Sequence, residues 1–187
     1  MIEISEPITT ERLVLRPFTA ADEAAMLAFE SRPEVARYLY NEARTSEDNA
    51  RELAVRQGQT ALRDEGDTLL LAVELDGEVI GYTLLTWLSE RHRQGEFGYV
   101  LHPDHGGRGL ATEAAREMLR LGFEQVGLHR IIGRCDPRNE ASAKLMSRLG
   151  MRQEAHFVES EIFKGEWGGE LHFAMLAREW EAAERPG

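Results

Sequence analysis

Cysteine is nearly missing from this chain. Cys135 is the single thiol among 187 residues, so no disulfide can form within the molecule, and a reducing, cytoplasmic compartment is its expected home. Long apolar runs are missing too: no stretch approaches ~18 consecutive apolar residues, which excludes a spanning helix. The opening MIEISEPITTERLVLRPF places acidic residues ahead of any apolar run, where an export signal needs a basic segment followed by an apolar one. Positive charge is short. The 22 Lys and Arg against 33 Asp and Glu leave a formal charge of -11, and the bases are not clustered. Such a surface repels a phosphate backbone and favours solubility and cationic partners such as amines, so neither nucleic acid nor a membrane is an expected partner. Repeats with periods of roughly 20–50 residues are absent, as is a linker between halves. With 42% apolar residues the chain is long enough to bury a core, and one domain over residues 1–187 is expected, as a monomer or homodimer.

What is present alternates between two periods. Leu13 and Leu15 interleave with Arg12, Val14 and Arg16, predicting a first strand that ends near Thr19, whose side chain suits the N-cap of a helix opening at Ala20. Pro33 restarts a short helix and Ser46 opens another, so residues 20–65 read as mostly helical. Two apolar runs, Thr68–Leu75 and Glu78–Leu85, flank Asp76-Gly77 and predict a tight hairpin. A strand over Gly95–Leu101 ends at His102-Pro103-Asp104. A helix then carries Ala111, Ala115, Met118, Leu119, Gly122, Phe123 and Val126 on one face, with Gly127 as its stop. Next comes a strand over His129–Cys135, and a helix capped by Asp136 or Asn139 that bears Leu145, Met146 and Leu149. Strands around Ala155–Phe163 and Leu171–Leu176 follow, linked by a turn-rich Lys164–Gly169. The pattern is that of an α/β or α+β domain on a mixed sheet of about seven strands.

Between the Gly95–Leu101 strand and the next helix lies the run Gly106-Gly107-Arg108-Gly109-Leu110-Ala111. A glycine turn feeding a helix N-terminus makes an anion site, because unpaired amides point outward there and glycine allows both close approach and positive φ. It is no nucleoside triphosphate loop, since Gly109 is followed by Leu110 and Ala111 rather than Lys and Ser or Thr. A dinucleotide site wants G-x-G-x-x-G in the first βα unit, whereas this run reads G-G-R-G-L-A and follows at least three strands.

The stretch from Leu101 to Ala114, LHPDHGGRGLATEA, resembles the acetyl-CoA loop of the GNAT superfamily of N-acetyltransferases, whose pattern is [QR]-x-x-G-x-[GA] after a strand. Gly109 and Ala111 match the last two fixed positions; Gly106 stands where the family has Gln or Arg. The opening TERLVLRPF, the strand GEFGYVL, CDPRNEASAKLMSRLGM and the closing FAMLAREW are similar to the branch that includes ribosomal-protein N-terminal acetyltransferases. The resemblance spans roughly residues 8–180. It implies the GNAT fold, a mostly antiparallel twisted sheet flanked by helices, and transfer of acetyl from acetyl-CoA directly to a primary amine of a protein N-terminus, a peptide or a small molecule.

What the resemblance implies can be placed residue by residue. Amides of Gly107, Arg108, Gly109, Leu110, Ala111 and Thr112 would hold the CoA pyrophosphate, with an added contact from the Arg108 side chain. The main chain at the splayed end of the Glu96–Leu101 strand would pair with the pantetheine arm, and an amide near Leu101 would face the thioester oxygen. Asn139 and Ser142 occupy the N-x-x-S positions where that branch has a CoA contact and a serine proposed to protonate the leaving thiolate. As the amine must attack uncharged, a carboxylate or a water chain has to take its proton. Glu96 is the candidate base, with Glu159, Glu161 and Glu170 behind it.

Other residues carry weaker signals. His102 and His105 flank Pro103-Asp104 without metal-ligand spacing, so no metal is expected. Cys135 reads as a small apolar residue rather than a nucleophile. Trp87, Trp167 and Trp180, and Phe29, Tyr38 and Tyr40, are candidates for walls of an acceptor cleft. Two rival readings stand beside acetyl transfer: a non-catalytic acyl-CoA-binding or regulatory domain, and a dinucleotide-binding oxidoreductase.

Overall fold

The computed structural model describes residues 1–184. The chain begins with short strands β1 (Ile2–Glu3), β2 (Ile8–Thr9) and β3 (Val14–Arg16), then helices α1 (Glu23–Glu30), α2 (Pro33–Ala36) and α3 (Ser46–Arg56). Next come β4 (Ala61–Leu62), β5 (Thr68–Leu75), β6 (Glu78–Ser89), β7 (Gln94–Leu101), α4 (Leu110–Arg120), β8 (Arg130–Cys135) and α5 (Glu140–Arg148). It closes with β9 (Arg152–Phe163), β10 (Glu166–Leu176) and α6 (Ala177–Glu184).

Eight strands form one sheet in the order β2-β3-β5-β6-β7-β8-β10-β9, and β1 pairs with β4 apart from it. Every neighbouring pair in the large sheet is antiparallel except β7 and β8. The Asp76-Gly77 turn joins β5 to β6 as expected, both residues having positive φ, the requirement of a tight hairpin turn. The same geometry recurs at Lys164 (φ 49) and Gly165 (φ 84). The loop expected over Lys164–Gly169 is therefore a two-residue turn, and Glu166–Gly169 already belong to β10. Within the region 20–65 expected to be mostly helical, residues 37–45 and 57–65 lie outside the helices and Ala61–Leu62 form β4, and the first strand is shorter than its alternation suggests.

Two cores sandwich the sheet. On one face α4 lays Leu110, Ala114, Ala115, Met118 and Leu119 against Leu69, Leu71, Leu85 and Phe97, and α5 adds Leu145 and Met146. Each large side chain buried this way stabilises the fold by about 1.5–3 kcal/mol. On the other face α1 and α3 bring Met26, Phe29 and Leu53 onto Leu70, Ala72, Tyr82 and Val100. Beneath these helices Glu30 and Arg56, both almost fully buried, pair at 2.8 Å, and the Arg56 guanidinium sits 4.1 Å from the Tyr82 ring centre. After Arg120 the helix widens into a π-turn over Leu121–Val126, and Gly127 (φ 76) stops it.

Candidate active site

The pairing of β7 with β8 lasts for three residues, Gln94 with Arg130, Gly95 with Ile131 and Glu96 with Ile132. Beyond Glu96 the two strands part. The ladder between β6 and β7 continues to Leu101, and His102 N–H reaches the Ile80 carbonyl at 2.7 Å. By the period of two in that ladder, the main-chain groups of Tyr99 and Leu101 face the other way, into the gap that β8 has left. The gap opens into a cavity of about 800 Å³ that passes through the sheet. Tyr82, Leu84 and Val100 line it from the α1 side, while Phe97, Gly133 and Cys135 line it from the α4 side.

One end of the cavity is the glycine turn. Pro103–His105 form a single 3-10 turn closed by Gly106 N–H on the Pro103 carbonyl, 2.9 Å. Gly107 (φ 74) and Gly109 (φ 79) then take left-handed conformations, and Gly109 is the N-cap of α4. The first amide to return into the helix is that of Glu113, on the Gly109 carbonyl at 3.1 Å, so the amides of Leu110, Ala111 and Thr112 lie ahead of the ladder. Nothing lies within 4 Å of where a Cβ on Gly107 would stand, which leaves the cradle open for an anion. A latch holds it from behind. Arg12 donates to the Arg108 carbonyl (2.8 Å) and to Glu113 (2.7 Å), and Thr10 bonds the same carboxylate at 2.6 Å. Burial would raise the Glu113 carboxyl, but the Thr10 and Arg12 hydrogen bonds hold it below the usual carboxylate range.

Of the predicted cofactor-binding residues, Leu101, Gly107, Gly109, Leu110, Ala111, Thr112, Asn139 and Ser142 line the cavity together, and Arg108 does not. Its carbonyl is turned to Arg12, and the residue is exposed and lines a second hollow together with Leu75 and Asp76. Asn139 spends its side-chain oxygen as the N-cap of α5, accepting Ser142 N–H at 3.1 Å. Ser142 is buried, and its Oγ accepts a hydrogen bond from the Tyr99 hydroxyl at 3.3 Å. Tyr99 carried no signal in sequence beyond its place on a strand.

Glu96 lines the cavity on the α1 side, where Arg134 clasps both its oxygens, at 2.8 and 3.1 Å. Arg134 also approaches Glu170, which bonds His172. Glu170, Glu159 and Glu161 lie outside the cavity lining; Glu161 accepts from Tyr40 instead. Tyr38 lines the cavity and donates to the Arg138 carbonyl at 3.1 Å, whereas Phe29 is wholly buried and Tyr40 lies on the surface. None of the three tryptophans walls the cleft: Trp87 and Trp180 are in the core and Trp167 is exposed. Cys135 is half-buried in the lining. Burial first, and the charges of Asp136 and Glu170 after it, push its thiol up to about 11, so it remains a thiol near neutrality. No cluster of three or more metal-ligating side chains occurs among the described residues, and no helix there is long and apolar enough to cross a membrane.

The fold is shared with acetyltransferases of known structure. An acetyltransferase of the GNAT family from Bacillus anthracis superposes with a TM-score of 0.82 at 29% identity, covering 92% of this chain and 99% of that one. In sequence, the Bacillus subtilis protein described as "Uncharacterized N-acetyltransferase YnaD" is 34% identical over 179 residues, 92% of this chain and 98% of the relative. Spermidine N(1)-acetyltransferase of Escherichia coli is 28% identical over 116 residues, 62% of each chain. The family described as "Acetyltransferase (GNAT) domain" matches residues 12–152. This chain belongs to that family and is an N-acetyltransferase, which removes the dinucleotide reading.

Proposed function

We propose that this chain, folded as one domain, moves an acetyl group from acetyl-CoA directly to a primary amine, with no covalent enzyme intermediate. The observation that carries this reading is the parting of β7 from β8, which joins an amide cradle at the start of α4 to the carboxylate-bearing face that holds Glu96. When bound, acetyl-CoA supplies an activated acyl thioester. Amides of Gly107, Gly109, Leu110, Ala111 and Thr112 would hold its pyrophosphate, and the unpaired edge of Tyr99 and Leu101 would extend the sheet to its arm. Leu101 N–H would then donate to the acyl oxygen, and the Ser142 hydroxyl would donate to the sulfur.

The acceptor enters from the α1 side, between α2 and the Glu96–Arg134 pair. A lysine amine has a pKa of ~10.4 and an α-amine ~8, so the second needs far less help to become neutral. Arg134 bonds both oxygens of Glu96, so a water chain beside that pair, rather than the carboxylate itself, would carry the amine proton out to solvent. Spermidine N(1)-acetyltransferase among the relatives makes polyamines one acceptor class to try, with peptide N-termini the other.

The test is release of free thiol from acetyl-CoA in the presence of spermidine, lysine and peptides with free N-termini, compared with a Gly109→Glu variant. Amine-dependent release that the variant loses is the expected result. Binding of acetyl-CoA without turnover on any amine would make the chain an acyl-CoA-binding regulatory domain, and no binding at all would end the reading.

A further inference from the structure

We infer that Tyr99 is a positioning residue for Ser142, fixing that hydroxyl so that its hydrogen is left for the departing sulfur; the inference rests on the acetyl-transfer reading above. The main-chain donor of Ser142 and one lone pair of its hydroxyl are taken. Its N–H goes to the Asn139 side-chain oxygen at 3.1 Å, and its Oγ accepts from the Tyr99 hydroxyl at 3.3 Å. Its own hydroxyl hydrogen meets no acceptor among the described residues.

A serine in a helix ordinarily donates to the carbonyl four residues earlier. Ser147, in the same helix, does so to Ala143 at 3.0 Å. For Ser142 the corresponding carbonyl is that of Arg138, which precedes α5 and instead accepts the Tyr38 hydroxyl at 3.1 Å. Tyr99 thus fills one lone pair of the serine, while Arg138, which lies ahead of α5 and is held by Tyr38, supplies no helical acceptor for its hydrogen. The hydroxyl is left with a donor directed away from Tyr99, inside the cavity lining. Burial raises the Tyr99 phenol, so it stays protonated and remains the donor across the neutral range.

The test is a double-mutant cycle on the full chain with acetyl-CoA and the best amine acceptor, reading kcat, the KM for acetyl-CoA and thermal stability. Tyr99→Phe keeps the ring and deletes the hydroxyl. It should lower kcat about three- to tenfold, the worth of one hydrogen bond, with the KM for acetyl-CoA unchanged and the melting temperature down by no more than about 2–4 °C. Ser142→Ala should lower kcat on the order of tenfold, and adding Tyr99→Phe to it should cost nothing further. Equal losses from Tyr99→Phe in both backgrounds would make the tyrosine merely structural and overturn the inference. So would full kcat in either single variant, with acetyl transfer itself intact. A wild-type protein that releases no thiol with any amine would instead remove the acetyl-transfer reading, a result distinct from any in the cycle.

Discussion

Alanine at position 109 separates two reasons for a glycine there, crowding and backbone conformation. A Cβ on Gly109 would come no nearer than 3.5 Å to any neighbour, the Arg12 guanidinium, which is ordinary contact. Crowding therefore costs nothing, and the whole penalty lies in holding an L-residue at φ 79, ψ 0. That conformation costs roughly 1–2 kcal/mol for alanine. The penalty falls in one of two places. If the latch of Arg12 and Glu113 keeps the turn as it is, chemical denaturation shows the loss as stability; if the turn relaxes, it must be re-formed on binding, and calorimetry with acetyl-CoA shows affinity weakened about 5- to 30-fold, the same energy expressed as a ratio. The two losses together should equal the single penalty. Asparagine, which tolerates the left-handed region, should recover much of it. An alanine variant unchanged in both assays, or an asparagine variant worse than alanine, would refute the argument.

Arg56→Met should destabilise the fold by about 3–5 kcal/mol in urea denaturation, because Glu30, 1% exposed, would keep only Arg44 at 3.0 Å as a cationic partner. The double variant Glu30→Gln/Arg56→Met should lose less than the sum of the singles. Arg130 first, and Arg152 after it, hold the Glu154 carboxyl down to about 2 against partial burial. A depressed folded pKa gives stability that is complete above the ordinary value near 4.5 and lost as pH falls towards 2. Wild type should therefore exceed Glu154→Gln by about 1 kcal/mol at pH 7, discounted for exposure, and the gap should close between pH 4.5 and 2. Cys135→Ala should retain its kcat, and the native thiol should react with iodoacetamide far more slowly than free cysteine at pH 8; loss of turnover with parallel double-reciprocal lines would restore a covalent route.

The centre of the molecule was legible and its margin was not, for physical reasons. The helix after the glycine turn carries a clean apolar stripe, and β5, buried along most of its length, reads as a run of five apolar residues, Leu69–Val73, followed by Glu74 and Leu75. The strand β9 exposes nearly all of its twelve residues, so no alternation marks where it begins. Gly168 and Gly169 look like turn residues but sit in β10; a Cβ on Gly169 would come within 2.5 Å of the Phe157 carbonyl, and glycine there admits a neighbouring strand. The cradle could be placed because its residues are consecutive. The contact of Tyr99 with Ser142, the clasp of Arg134 on Glu96 and the bond from Arg12 to the Arg108 carbonyl each join residues at least 38 positions apart, and no local spacing encodes them.

The short parallel pairing of β7 with β8 has a kinetic counterpart. A slit through a sheet has two mouths, and on the reading proposed here the donor occupies the one at α4 while the acceptor comes through the one beside α2. Neither partner stands in the other's doorway. The first product need not leave before the second substrate arrives, a ternary complex is the natural traffic pattern, and initial-rate lines for the two substrates should intersect. Long acceptors such as peptide chains then trail into solvent on the side that the nucleotide never visits.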